Sequence, residues 1–217
     1  MSKIKSILND EQGSMSIVVG GILFFGVLLI ILLFNFIKIF ATADQATTAA
    51  EQASIAASTV VYDEAMKVIQ SHSYPCGEEE DCYLIDDYND EKQILSKSSS
   101  LSASEIKKKA IDNVLIKMIP GDSILRQKIY GALITARKNI PAVVNKVISE
   151  NKAEISSTKI TFLNSKNRIE VKTAITYNSI EAGFINAMSE RIDQMGMGVQ
   201  IPFAAYVNWT NKTISIN

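Results

Sequence analysis

Three residues able to do nucleophilic, redox or metal chemistry lie close together: His72, the only histidine, and Cys76 and Cys82, the only cysteines. A closed zinc site takes four nitrogen or sulfur ligands, and this segment offers three. Acyl transfer by a serine needs a base, which here would have to be His72, placed just before the Pro75-Cys76 turn. No GxSxG elbow, Walker A loop or HExxH pair occurs in the chain. The cysteines flank Gly77-Glu78-Glu79-Glu80-Asp81. A disulfide across that loop is the leading reading, with free thiols or a metal as alternatives. The acidic run continues through Asp86, Asp87, Asp90 and Glu91. It lacks the alternating ligands and central glycine of an EF-hand, so it reads as a solvated loop closed by the disulfide. The residues therefore predict no catalytic group, no cofactor, no metal and no small-molecule substrate.

Composition narrows the partners further. The formal net charge is −1, from 22 basic and 23 acidic side chains, and no basic face suited to nucleic acid is visible. Hydrophobic residues make up 47% of the chain but are concentrated between Met15 and Phe40. Met15 to Ile37 reads MSIVVGGILFFGVLLIILLFNFI, with Ser16 and Asn35 as its polar interruptions. A helix of that length matches a hydrocarbon core of roughly 30 Å. A cleavable secretory signal is the rival, since Ala41-Thr42-Ala43 has the small-residue pattern of a cleavage site. The apolar run is much longer than a signal h-region, which favours an uncleaved anchor. Lys3 and Lys5 precede the span, whereas Lys38 alone follows it closely. The bias predicts a cytoplasmic N-terminus and an extracytoplasmic C-terminal region.

The elements that position these residues follow from periodicity. Residues 1–14 are a cytoplasmic leader-like segment, 15–40 the transmembrane helix and 41–75 an Ala-rich helical extension of it. In the extension Ala46, Ala49, Ala50, Ala53, Ala56, Ala57 and Val60 share one helix face, where small side chains let another backbone approach closely. The spacing predicts a rod from about Ser14 to Ser71, with Pro75 and Gly77 beyond it. Residues 76–101 form the acidic disulfide loop and a serine-rich linker, Ser96 to Ser100. A helical region, 102–154, opens on the capping-box spacing of Ser102 and Glu105 and carries an apolar stripe from Ile106 to Met118. Lys107, Lys108 and Lys109 start its wet face. A second helix is predicted from Ser123 to Lys138, burying Ile124, Leu125, Ile129, Leu133 and Ala136, and a third starts near Pro141. Residues 155–217 are β-rich. Lys159–Leu163 and Arg168–Tyr177 alternate around the turn-like Asn164–Asn167, forming a hairpin. A helix over Ser179–Met195 ended by Gly196 and Gly198, a strand over Val199–Trp209 and a short strand at Thr213–Ile216 complete the expectation. The predicted fold class is α+β: a long N-terminal transmembrane helix running into a domain of helices plus a small C-terminal antiparallel sheet.

The block Asp10-Glu11-Gln12-Gly13-Ser14-Met15-Ser16-Ile17-Val18-Val19 before the span, with Thr48-Ala49-Ala50-Glu51-Gln52-Ala53 in the helix beyond it, resembles the TadE/TadG-like proteins. These are pilin-like subunits of tight-adherence (Tad, Flp-type) pilus systems. The likeness covers about Asp10 to Ser58. It implies a membrane-anchored minor pilin or assembly component, a processing site between Gly13 and Ser14, and helix packing through Gly20, Gly21, Gly26, Ala46, Ala49, Ala50, Ala53 and Ala57. Its implied partners are membrane lipid and other pilin-like or platform membrane subunits. The glutamate usual five residues after the glycine is Val18 here, which places the chain nearer the TadG branch. The alternative reading is a single-span, membrane-anchored binding or adhesion domain unrelated to pili.

Overall fold

The computed structural model describes residues 11–77, 81–98, 100–178, 189–209 and 212–215. Helix α1, Glu11–Ser71, runs unbroken for 61 residues, about 90 Å at the rise of an α-helix. Beyond it Ser73–Pro75 (β1) and Asp81–Tyr83 (β2) pair antiparallel. Then come α2 (Leu84–Ser98), α3 (Ala103–Met118) and α4 (Ser123–Glu150). Strands β3 (Lys159–Phe162), β4 (Glu170–Asn178), β5 (Ser189–Met197) and β6 (Lys212–Ser215) form an antiparallel sheet of order β5-β4-β3-β6. The described chain is mostly helical with small antiparallel sheets, an α+β arrangement.

The second half of α1 is the spine on which the domain is assembled. Helix α4 packs along it, and β4 and β5 pack their inner faces against it. Helix α1 and α4 run antiparallel. Gln45 Nε2 donates to the Asn151 carbonyl (2.9 Å) at one end, and His72 meets Asp122 at the other. Val61, Tyr62, Ala65 and Ile69 of α1 are buried with Leu125, Ile129, Leu133, Ala136, Ile140, Val144 and Ile148 of α4 in one continuous core. The capping box of α3 forms as its spacing predicts, with Ser102 N–H donating to Glu105 Oε2 (2.9 Å) and Ser102 Oγ accepting from Glu105 N–H.

Five local expectations are corrected. Residues 84–98 are not a loop and linker but α2. Leu84, Tyr88 and Leu95 give it a buried stripe, and Asp86 and Asp87 sit in its first turn, where carboxylates complement the helix dipole. Pro141 does not start a third helix. It lies inside α4, and burial of Ile140, Val144 and Ile148 against the core offsets the lost backbone bond. Ile124, expected inside, is exposed. Ser189–Met195 is strand rather than helix, paired along β4 from Asn178↔Ser189 to Glu170↔Met197. Val199–Trp209 is not a strand: Pro202–Val207 forms a 3-10 helix that buries Phe203, Ala204 and Val207. The hairpin of β3 and β4 and the final short strand β6 are present. Ser179–Met188, Glu78–Glu80, Ser99, Lys3 and Lys5 lie outside the described residues.

Candidate functional site

Among the described residues one helix, near the N-terminus, is long and apolar enough to cross a membrane. Its apolar side chains point outward: Phe24 is 69% and Phe40 72% exposed, and none of its most apolar stretch is buried. An apolar surface of that size does not persist in water on a monomer. Asn35 Nδ2 donates to the Ile31 carbonyl (3.1 Å), so the polar side chain within the span turns back onto its own helix. Gly20, Gly21 and Gly26 have no atom within 4 Å of where a Cβ would stand, leaving open flat places on the helix surface. Gly13 and Ser14 fall in the first turn of α1.

The alanine stripe has a different surrounding. Ala46, Ala49, Ala50, Ala53 and Ala57 are all fully buried, with Ser54 and Ser58 beside them. The end of β5 and the residue after it lie against this stripe at backbone contact. A Cβ on Gly196 would lie 2.2 Å from the Ala50 carbonyl carbon, and one on Gly198 would lie 2.1 Å from Ser58 Oγ. The stripe is thus occupied within the chain, and of the packing residues suggested by the sequence only the three span glycines stay open to another molecule.

Two polar clusters fix the domain to the helix. At the far end of α1, buried His72 places Nε2 at 2.7 Å from Asp122 Oδ2 and Nδ1 at 3.3 Å from Lys128 Nζ. Lys128 can only donate, so Nδ1 accepts from it and Nε2–H donates its hydrogen bond to Asp122 Oδ2. Asp122 Oδ1 meanwhile accepts from the N–H groups of Ile124 and Leu125, capping α4. Burial acts to raise the Asp122 carboxyl, but the Leu125 N–H, His72 and the Ile124 N–H outweigh it and hold it below its ordinary value. Just beyond, Cys76 and Cys82 are joined in a disulfide that closes the β1–β2 turn. Tyr74 donates to Asp87 Oδ2 (2.6 Å), tying that hairpin to α2. This bond, with some burial and the charges of Asp87 and Asp86, pushes the phenol up to about 12.

Midway along the spine the Tyr62 hydroxyl lies 2.9 Å from Asp112 Oδ2 on α3 and 3.1 Å from the Gln200 carbonyl. One hydroxyl proton faces two acceptors. Burial pushes Asp112 up to about 7, against the opposing hydrogen bond from Tyr62, and Asp112 Oδ1 is buried without a partner. Burial, the Asp112 charge and that bond together raise Tyr62. When Asp112 is protonated, its carboxyl donates to Tyr62, and Tyr62 donates to Gln200. The network joins α1, α3 and the segment leading into the 3-10 helix. Both clusters contain groups that hold and move protons, but each is committed to contacts between elements. Among the described residues no group of three or more His, Cys, Asp or Glu is arranged to hold a metal.

The sequence reading singled out Cys76 and Cys82, which the fold joins, and the small residues, which it divides between span and core. It missed Tyr62, Asp112 and Asp122. Asp122 carries the Asp-Ser N-cap signal just past Pro120-Gly121 and was legible. Tyr62 and Asp112 come from distant positions and carry no local signal. Comparison of the chain with family models, curated proteins and solved structures gives no match.

Proposed function

We propose that this chain is a membrane-anchored TadE/TadG-like subunit, a minor pilin or assembly component, of a Tad-like pilus or related secretion apparatus. The observation that carries the reading is that one unbroken helix, Glu11–Ser71, is an apolar span in its first half and the spine of a packed domain in its second. A span coupled rigidly to a domain transmits position and force between the membrane and whatever the domain contacts, as an assembly subunit must. The disulfide suits an oxidising compartment and so supports an extracytoplasmic domain, with Lys3 and Lys5 cytoplasmic. Gly20, Gly21 and Gly26 leave the span open to close approach by another membrane helix, the small-residue mode of packing in lipid. Partners on this reading are membrane lipid and other pilin-like or platform subunits.

A photo-cross-linking residue at Gly21 in cells tests this. Adducts with a second pilin-like or platform span, together with loss of surface filaments on gene deletion, support the proposal. Adducts to lipid alone and unchanged filaments would leave an anchored binding domain instead.

A further inference from the structure

The outer face of the four-stranded sheet, turned away from α1, carries a charge arrangement that the fold does not explain. Lys159 and Lys172 stand directly opposite each other on β3 and β4. Like charges at directly paired positions destabilise a sheet. The two strands are central in the sheet order, so these lysines are not guarding an edge against unwanted pairing. Both are exposed, and among the described residues neither has a carboxylate at salt-bridge distance. Together with Ser157, Arg191, Asp193, Gln194 and Met195 they line a shallow cavity of about 550 Å³. Its one carboxylate, Asp193, is engaged by Arg191 at 2.8 and 3.0 Å. Of the nearby acids, Glu154 bonds Thr176 and Glu170 bonds Asn164. The cavity keeps an excess of positive charge on a chain whose formal charge is −1.

Its height along α1 follows from the contacts of β5. Gly196 sits against Ala50, and Gly198 against Ser54 and Ser58, so β5 runs alongside α1 in the same direction. Arg191 is five residues before Gly196, about 16 Å back along the strand. Phe40, at the end of the apolar run, is ten residues before Ala50, about 15 Å back along the helix. Arg191 therefore stands level with the end of the span. The Asn151–Gln45 contact agrees, placing the end of α4 at the same side of the domain. Lys172 pairs with Met195 and stands one strand residue below Gly196. The two lysines thus lie four strand residues, about 13 Å, farther out, within reach of an anionic surface when side-chain length and a Debye length of roughly 8–10 Å are allowed.

We propose that Lys159, Lys172 and Arg191 form a docking surface for the phosphate groups of anionic phospholipid in the bilayer that α1 crosses, steadying the domain against its own membrane. This rests on the reading of α1 as a span. Each basic side chain near such a surface gains from its negative potential, and the like-charge strain between the lysines is relieved when lipid is present.

The test uses the full-length protein reconstituted into vesicles of zwitterionic phosphatidylcholine, with or without anionic phosphatidylglycerol. Flotation after an alkaline wash comes first; protein that fails to float overturns the span reading itself. Amine acylation is then mapped by mass spectrometry, with Lys67 and Lys92, at the far end of the domain, as internal references. Phosphatidylglycerol should slow acylation of Lys159 and Lys172 several-fold, leave the references unchanged, and lose its effect in high salt. Equal labelling in both bilayers overturns the proposal. Equal protection by inorganic phosphate in zwitterionic vesicles also overturns it, by showing a free-anion site. Arg191→Gln should weaken the protection of both lysines without altering the reference sites.

Discussion

His72 Nε2 lies 2.7 Å from Asp122 Oδ2, and this contact fastens the residue just past the long helix α1 to the N-cap of α4, the helix that runs back along it. Asp122 does two jobs with two oxygens, since Oδ1 caps α4 while Oδ2 accepts a hydrogen bond from His72. Asp122→Ala removes both and should destabilise the domain by about 2–3 kcal/mol. Asp122→Asn, which keeps a capping oxygen, should cost less. Denaturant unfolding followed by Trp209 fluorescence measures both. Equal, negligible losses would mean the contact contributes nothing.

The approach of β5 to α1 makes a sharper prediction. Gly196→Ala puts a methyl group 2.2 Å from the Ala50 backbone, which can be relieved only by moving strand from helix. The expected loss is about 3 kcal/mol or more, at the upper end of overpacking costs. Gly131 is exposed within α4 with nothing within 4 Å of its would-be Cβ. Gly131→Ala should therefore be neutral or stabilise by about 0.5–1 kcal/mol. Similar stabilities for the two variants would contradict the packing described.

These glycines also show how far the sequence was legible. Ser102 with Glu105, the β3–β4 hairpin and the apolar span are local signals, and each appears as read. Gly196 and Gly198 were read locally too, as a helix stop, although their reason is distant in sequence: the backbone of Ala50 and Ser54 leaves no room for a side chain. The acidic run of α2 looked like a loop because charge masked the sparse stripe of Leu84, Tyr88 and Leu95. The Tyr62–Asp112–Gln200 network depends on three segments meeting, which no spacing rule reveals.

Asp112 gives the domain a pH dependence opposite in sign to that of most carboxylates. Its folded value is pushed up to about 7 from an ordinary 3.8, so the folded state holds a proton that the unfolded state has released. Its contribution is complete below about pH 4 and is lost as pH rises through about 7. Asp122, held low, acts the other way: its contribution is present above pH 3.8 and is lost only in stronger acid. Asp112→Asn should flatten the decline between pH 4 and 7 and make the domain more stable than wild type at pH 8. Denaturation midpoints across that range decide it. A variant with the same slope as wild type would rule Asp112 out as its source.

The Cys76–Cys82 bond closes a loop with a sequence separation of 6, which limits its stabilisation to about 2 kcal/mol. Reduction should loosen the β1–β2 turn while the core of α1, α3 and α4 stays folded. In protein taken from cells without reductant both cysteines should resist thiol reagents. Full labelling of both would mean the bond does not form there.

The central claim is that α1 crosses the membrane and carries its domain on the extracytoplasmic side. Protease added to intact spheroplasts of cells producing the protein with an N-terminal epitope tests it most directly. The account predicts that the domain beyond Phe40 is digested and that a small tagged fragment containing the span survives until detergent is added. A domain that resists protease in intact spheroplasts but is cleaved after lysis would contradict the topology, and with it the proposed role in an extracytoplasmic assembly.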